Sequence, residues 1–427
     1  MIKNKPDTKR TFAIIAGHLL EHYDVTLYGF FAAMLGPIFF PEGDHFCATL
    51  YSFGVFAAGF LMRPFGGLVF GYIGDKYGRK NALLFSILLV TIPTFSIGFL
   101  PTYAQIGILS PVLLIFFRLL QGVCVGGEFS GAVIYVSEHS KNLKPGFKAS
   151  LLIMSGFIGA ILGTLVGWMS TKFFDLELST SFSKDWGWRV PFILGGIFGL
   201  IVLLLRSSLE ETPDFESFKK KPIKGLPLIR VLVDHPIPFI CTIIYGGSNL
   251  VALYLGTFYM NAFLYETLQF TKPQVLQNST LCFVFCASII PLFGWISDKV
   301  GVMRSILWGS AFMTLGAIPF YMWAFQTPIV TGRIYVLQGF LMICNACIIG
   351  PLASFIPRIF PKNLRYSGMS VSFTTGQAIL GGVTPMIATY ITNTTHLTWS
   401  PGIFLAMVGC LFACAILVAK KYCIDHM

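Results

Sequence analysis

Runs of apolar residues, each long enough to cross a lipid bilayer, recur along the whole chain and constrain its fold more than any other feature. A spanning helix needs about 20 predominantly apolar residues, and about twelve runs reach that length. Only 11% of the 427 residues are charged, against about 25% in a soluble domain. The chain is therefore predicted to be an all-α membrane protein whose immediate partner is the bilayer. The predicted spans are 11–39, 47–73, 81–100, 107–138, 148–172, 189–208, 236–262, 274–297, 304–325, 331–357, 366–392 and 401–421.

A charged motif between apolar runs occurs twice. Residues 71–80 read GYIGDKYGRK and residues 294–304 read GWISDKVGVMR. The copies follow the second and the eighth run, which are equivalent positions in two halves, and this is typical of carriers built from related bundles. We predict an N-terminal bundle at 1–208, an inter-bundle linker at 209–235 and a C-terminal bundle at 236–427. The shared positions are Gly71, Asp75, Lys76 and Gly78, then Gly294, Asp298, Lys299 and Gly301; the first copy adds Arg79 and Lys80.

The net charge is +11, but the Lys and Arg residues are distributed as the positive-inside rule describes. No nucleic-acid partner is therefore predicted. Most Lys and Arg residues lie in segments that face one side of the membrane if the chain crosses at each apolar run. These segments include the N-terminus, the two motif loops and a group that starts at Arg206 and continues through the linker. The rule places this side, and both termini, in the cytoplasm.

The ten cysteines are scattered and mostly fall inside apolar runs. Cys344 and Cys347 form a CxxC pair within a predicted helix, but no second pair or histidine accompanies it. Packing is the better interpretation than a metal or redox site. The sequence therefore predicts no cofactor and no metal.

Ionisable residues inside predicted spans are costly and indicate function. The first span also contains His22; its His18, Glu21 and Tyr28 share a helical face with Val25, and Asp24 lies next to that face. The fourth span carries Arg118, Gln121 and Glu128 at a similar depth, and the second carries Arg63. We predict that Asp24, Glu21 or Glu128 exchanges protons, tuned by Arg118; for Arg118 and Glu128 a static ion-pair network is the alternative.

The interior of the second half offers neutral polar residues in its helices. They can supply hydrogen bonds and shape to a substrate cavity, although several are expected to join helices to one another. The predicted cavity residues from both halves are His18, His22, Tyr28, Arg63, Gln121, Tyr245, Asn249, Asn345 and Gln377.

These motifs carry a family resemblance. GYIGDKYGRK resembles the loop signature of the major facilitator superfamily, and RLLQG resembles its fourth-helix motif. The phrases LEHYDVTLYG, RPFGG, RLLQGVCVGGEFSGA, WGWRVPFI, LEETPDF and GGVTP resemble the metabolite:proton symporters, which include proline/betaine carriers. The chain departs from that pattern at His18, His22 and Val25.

The resemblance implies twelve transmembrane helices in two pseudo-symmetric six-helix bundles that work by alternating access. It also implies a cytoplasmic gate formed by the motif residues. In this gate Asp75 is expected to contact the start of the eleventh helix, near Arg365, because a helix N-terminus is partly positive.

We therefore predict a monomeric, proton-coupled secondary transporter of the bacterial inner membrane, not an enzyme, that imports a small polar metabolite. The balance of cavity charges favours a zwitterion such as proline, betaine or another amino acid. An organic-acid symporter, of the 2-oxoglutarate, citrate or shikimate kind, is the alternative. A remote alternative is a membrane zinc metalloenzyme, because HLLEH at 18–22 matches an HxxEH pattern.

Overall fold

The computed structural model describes residues 8–41, 51, 54–55, 58–139, 145–173, 186–218 and 226–423. Within these residues the chain forms twelve long helices. They are α1 (Thr8–Phe39), α2 (Arg63–Lys76), α3 (Arg79–Ile97), α4 (Leu109–His139), α5 (Pro145–Phe173), α6 (Arg189–Ser207), α7 (Pro236–Tyr254), α8 (Lys272–Val300), α9 (Val302–Ala324), α10 (Thr331–Phe355), α11 (Arg365–Gly376) and α12 (Pro401–Cys423).

The all-α, multi-span architecture predicted from the apolar runs is confirmed. In the described part of the chain, nine helices are long and apolar enough to cross a membrane. The other three long helices are α1, which carries the buried charges, α2, and α11. Much of the start of the predicted span 47–73 lies outside the described residues.

Two of the helices are interrupted at the middle of the molecule. α7 continues through a π-helical turn, Leu255–Tyr259, into Met260–Glu266, and α11 continues through the π-helical turn Gln377–Gly381 and then Thr384–Thr395. Such turns are rare and frequently occur at functional sites. The predicted continuous span 366–392 is therefore broken, and both π-helical turns contribute residues to the cavities described below.

Two equivalent helix pairs join the halves: α2 packs against α11, and α5 packs against α8. The first glycine of each motif copy lies at these contacts. A Cβ on Gly71 would lie 2.7 Å from the Cα of Ser367, and one on Gly294 would lie 2.7 Å from the carbonyl oxygen of Gly146. Small residues are required there because the backbones approach so closely.

The last glycine of each motif copy is required by the loop that follows. Gly78 has φ of 109° and Gly301 has φ of 100°, a region that residues with a Cβ rarely occupy. Each of these glycines directly precedes a helix, and Gly301 also directly follows one. The repeat thus has a physical basis, because both halves need a close helix contact followed by a tight turn.

Two short helices, Pro213–Phe218 and Pro227–Asp234, lie between α6 and α7. The first is anchored on the face that carries both motif loops, which we call the motif face. The buried ring of Phe215 lies 5.4 Å from the guanidinium carbon of Arg79, and the hydroxyl of Tyr135 donates to the carbonyl oxygen of Glu210 at 2.8 Å. The basic run at 219–224 lies outside the described residues.

Candidate functional site

Two connected cavities lie between the halves. The inner cavity has a volume of about 150 Å³ and the outer cavity about 630 Å³. The outer cavity reaches Gly29, Leu61 and Asn261, which lie towards the ends of their helices far from the motif face. Seven predicted cavity or coupling residues line the inner cavity, together with one aromatic residue that was not predicted from the sequence. They are His18, Glu21, His22, Arg63, Asn249, Asn345 and Gln377, with Tyr254 as the addition.

The inner cavity contains a compact group of ionisable side chains on α1, which we call the α1 triad: His18, Glu21 and His22. His18 Nδ1 lies 3.5 Å from Glu21 Oε2, and both side chains are buried. The imidazole rings of His18 and His22 meet edge to face with centroids 4.4 Å apart. Three groups that carry or accept protons therefore border one side of the inner cavity.

Arg63 supplies the positive charge of the inner cavity. Its guanidinium carbon lies 3.8 Å from the centroid of the Phe60 ring, a cation–π arrangement. Among the described residues, no carboxylate lies within ion-pair distance of Arg63, whose side chain lines the inner cavity. This arginine is therefore available to an anionic group of a substrate.

Asp24 does not line the inner cavity but borders a smaller pocket beside it, which Arg63 also lines. Thr94 and Gln121 each donate to Asp24 Oδ1 at 2.8 Å, and Arg118 Nη1 lies 3.4 Å from Oδ2. The Arg118 guanidinium also stacks over the ring of Tyr28 at 4.0 Å. The predicted partnership of Asp24 and Arg118 is present, and Thr94, on α3, is a partner that the sequence did not reveal.

Glu128 has a different partner from the one expected. It forms a two-point ion pair with Arg206, whose Nη1 donates to Glu128 Oε2 at 2.8 Å, and Ser86 donates to the same oxygen at 2.6 Å. Arg206 was grouped with the cytoplasmic loop charges, but its side chain is fully buried. Its length lets the guanidinium reach back between α1, α3 and α4, so Arg118 is not the partner that tunes Glu128.

Three predicted cavity residues lie outside both cavities in the described structure. Tyr28 is covered by Arg118, and Gln121 is held by Asp24 and Arg118. Tyr245 is buried within the second half, where its hydroxyl donates to the carbonyl oxygen of Ala415 at 2.9 Å. In each case the side chain contacts a neighbouring helix, so the residue faces the bundle and neither of the two cavities.

The motif face is closed by the contact predicted for Asp75. Its two carboxylate oxygens accept hydrogen bonds from the backbone N–H groups of Tyr366 and Ser367, at 3.1 and 2.8 Å. These groups lie in the first turn of α11, where the helix dipole favours an anion. Arg79 reinforces the contact, because it lies 3.3 Å from Asp75 and donates to the carbonyl oxygen of Lys362 at 2.7 Å.

Asp298 makes the equivalent contact in the other direction, which was not predicted. Its carboxylate accepts hydrogen bonds from the N–H groups of Gly146 and Phe147, at 2.8 and 2.9 Å. These residues begin α5, so each motif aspartate caps a helix of the opposite half. A further ion pair across the halves joins Arg365 to Glu138 at 3.0 Å.

Among the described residues, the motif lysines make no contact that bridges the halves. The Lys76 ammonium contacts the ring of Tyr72, its helical neighbour, at 4.8 Å, and Lys299 stacks over Trp295 at 3.7 Å. The backbone N–H of Lys80 faces the Glu211 carboxylate of the linker. The closed contact therefore depends on the two aspartates and on arginines, and the lysines remain near the surface of the motif face.

The chain has relatives among known transporters. The sequence profile described as "Major Facilitator Superfamily" matches residues 25–385. The chain is 31% identical over 411 residues to the "Proline/betaine transporter" of Salmonella typhimurium, covering 94% of this chain and 81% of that protein. It is 34% identical over 421 residues to the "Putative proline/betaine transporter" of Staphylococcus aureus, covering 96% and 87%.

One further relative and one solved structure extend this comparison. The "Glycine betaine/proline/ectoine/pipecolic acid transporter OusA" of Dickeya dadantii is 31% identical over 412 residues, covering 94% of this chain and 81% of that protein. The fold is similar to that of the proton:xylose symporter XylE bound to 6-bromo-6-deoxy-D-glucose. The TM-score is 0.77 at 18% identity, with 97% of this chain and 95% of that chain covered.

Proposed function

This chain belongs to the major facilitator superfamily, and within it to the metabolite:proton symporters, and we propose that it imports a small zwitterion together with protons. Membership makes it a multi-pass membrane transporter and not an enzyme, which removes the zinc metalloenzyme alternative. In our proposal it lies in the bacterial inner membrane with the motif face and both termini in the cytoplasm, and it functions as a monomer.

This proposal rests on the charged side chains that line the inner cavity. Its described lining contains one carboxylate, Glu21, and one guanidinium, Arg63. An ammonium group of the substrate can approach Glu21 while the substrate carboxylate pairs with Arg63, so both buried charges are compensated. Tyr254, Phe129 and other aromatic rings of the lining offer apolar surface to the body of the substrate.

A dicarboxylate or tricarboxylate fits this arrangement less well. It needs at least one more cation, because a buried anion without a partner is costly. Arg118 is the nearest candidate, but Asp24 already faces it at 3.4 Å. The relatives named as proline/betaine transporters add support for the zwitterion from an independent direction.

We place proton coupling at Asp24 and assign Glu128 to stability. Asp24 and Arg63 border the same small pocket between α1, α2 and α4, so a substrate carboxylate at Arg63 lies close to the Asp24–Arg118 pair. Protonation of Asp24 would release Arg118 to interact with an anion next to the inner cavity. Glu128 borders none of the cavities described above, and its charge is matched by Arg206.

Alternating access then requires the motif contacts to break. In the present arrangement the motif face is closed and the outer cavity lies towards the opposite face. We infer that substrate enters from that face, which in this orientation is the cell exterior. Opening towards the cytoplasm separates α11 from Asp75 and α5 from Asp298.

A ligand screen on the purified carrier tests the substrate class. Amino acids, betaines and organic acids are compared by thermal stabilisation in detergent and by uptake into proteoliposomes. We expect saturable uptake of at least one zwitterion, and stabilisation by that same compound. Saturable uptake of a dicarboxylate with no response to any zwitterion would contradict the proposal and favour the organic-acid alternative.

A further inference from the structure

We propose that the α1 triad is a binding site for a divalent transition-metal ion such as Zn²⁺. This goes beyond the transport of a zwitterion and reverses the prediction that the chain binds no metal. The triad combines two imidazoles and one carboxylate, a ligand set that suits Zn²⁺. The family assignment removes a hydrolytic role for these residues, but it does not remove their capacity to bind a metal.

The separations between the ligand atoms fit a single ion. In a tetrahedral zinc site with bonds of about 2.0–2.1 Å, neighbouring ligand atoms lie roughly 3.4 Å apart. His18 Nδ1 and Glu21 Oε2 are 3.5 Å apart, and one ligand atom from each of the three residues lies within 4.8 Å of the other two. Side-chain rotations are needed to bring the more distant ligand atoms onto one ion, and positions 18, 21 and 22 share the helix face that allows this.

A hydrogen bond to the backbone prepares His22 for this role. His22 Nδ1 lies 3.1 Å from the carbonyl oxygen of His18. A carbonyl oxygen only accepts, so Nδ1 carries the proton and Nε2 keeps a free lone pair. Metal-binding histidines are commonly oriented by such a contact of the second ring nitrogen.

The other two members of the triad have buried atoms that lack partners. Within the described residues, His18 Nδ1 and Glu21 Oε2 have no hydrogen-bond partner. A buried polar atom left in this state costs about 1–3 kcal/mol. These are the two atoms that face each other at 3.5 Å, and a metal ion between them would satisfy both.

A helix packs closely on one side of the triad, and a fourth ligand can come from the inner cavity on the other side. Gly156 of α5 faces the triad, and a Cβ there would lie 3.0 Å from both His18 Nε2 and His22 Nδ1. On its other side the triad borders the inner cavity, where water or an anion can complete the coordination. Arg63 lines the same cavity, so an anionic fourth ligand is favoured over a neutral one.

Zinc binding is measured directly on the purified carrier, by isothermal titration in detergent without any transported substrate. The test is therefore independent of the transport proposal. The variant is His22→Gln, and the control is His396→Gln, which removes an exposed histidine in the loop before α12. Loss of a supporting hydrogen bond alone weakens metal binding about 10–100-fold, so we expect His22→Gln to raise the Kd by at least about 100-fold and the control to leave it unchanged.

Two results would overturn the proposal: no zinc binding by the wild-type carrier, or equal affinities of the wild type and a folded His22→Gln variant. If that variant does not fold, Co²⁺ absorption of the wild-type carrier decides the question. Intense visible bands of a four- or five-coordinate ion that Glu21→Gln shifts would support the site. The weak spectrum of hydrated Co²⁺ would refute it.

Discussion

Replacing Glu128 by Gln is expected to destabilise the carrier strongly, because it removes the negative charge that faces Arg206. The Arg206 side chain is fully buried. Besides its two bonds to Glu128, it donates to the carbonyl oxygens of Ala13, Leu83 and Ile14, at 3.2, 3.0 and 3.3 Å. The ion pair thus holds α6 to α1, α3 and α4.

The size of the stability loss follows from the Arg206 charge, which remains buried in the variant. Removing one partner of a buried ion pair typically costs about 3–5 kcal/mol, because the other charge stays in the interior. The three carbonyl contacts persist in the variant and offset part of this cost. We therefore expect Glu128→Gln to lower the free energy of unfolding by about 3 kcal/mol.

Unfolding of the purified protein by SDS titration in mixed micelles, followed by circular dichroism, gives this free energy. Asp234→Asn is the matched control, since Asp234 is exposed at the end of a short helix and should change the value by less than about 0.5 kcal/mol. The double variant Glu128→Gln with Arg206→Met should be more stable than Glu128→Gln alone, because it removes both charges. If Glu128→Gln unfolds like the wild type and yet fails to accumulate substrate, Glu128 acts in coupling and our assignment is refuted.

Two further predictions concern the gate and the cavity. Asp75→Asn should leave the fold intact but slow transport, because the helix-end contact with α11 loses its charge. Asp298→Asn tests the equivalent contact with α5. Wild-type turnover of both purified variants would exclude a gating role. Arg63→Gln should raise the half-saturating concentration of a zwitterion by roughly 10–100-fold, as expected for the loss of a charged hydrogen bond worth about 1.5–3 kcal/mol. Uptake kinetics in proteoliposomes measure this change, and an unchanged half-saturation would remove Arg63 from the binding site.

Much of the fold could be predicted because its causes are local in the sequence. The length of the apolar runs sets the helices, and the repeated motif marks equivalent loops in the two halves. The contact of Asp75 with α11 followed from the family resemblance, and Asp298 repeats it with α5. The second contact could have been inferred from the repeat itself, by applying to Asp298 the argument made for Asp75.

The partners of the buried charges could not be predicted, because helical periodicity gives the depth and direction of a residue but not its neighbour. Arg206 lies at the end of an apolar run beside a charged segment, so the positive-inside pattern placed it in a loop. Only the packing of α6 against α1 and α3 brings its long side chain to Glu128. Tyr245 illustrates the same limit, since a polar residue on a helix can face either a cavity or another helix.

Proton-driven accumulation by the wild type and by Asp24→Asn tests the central claim most directly. Proteoliposomes with an alkaline interior receive a labelled zwitterion identified by the ligand screen, and accumulation is compared with exchange in the absence of a pH gradient. We expect the wild type to concentrate the zwitterion and Asp24→Asn to exchange it without accumulation, because the variant cannot release a proton. Accumulation by Asp24→Asn at the wild-type level, or a wild type that ignores the pH gradient, would contradict the account.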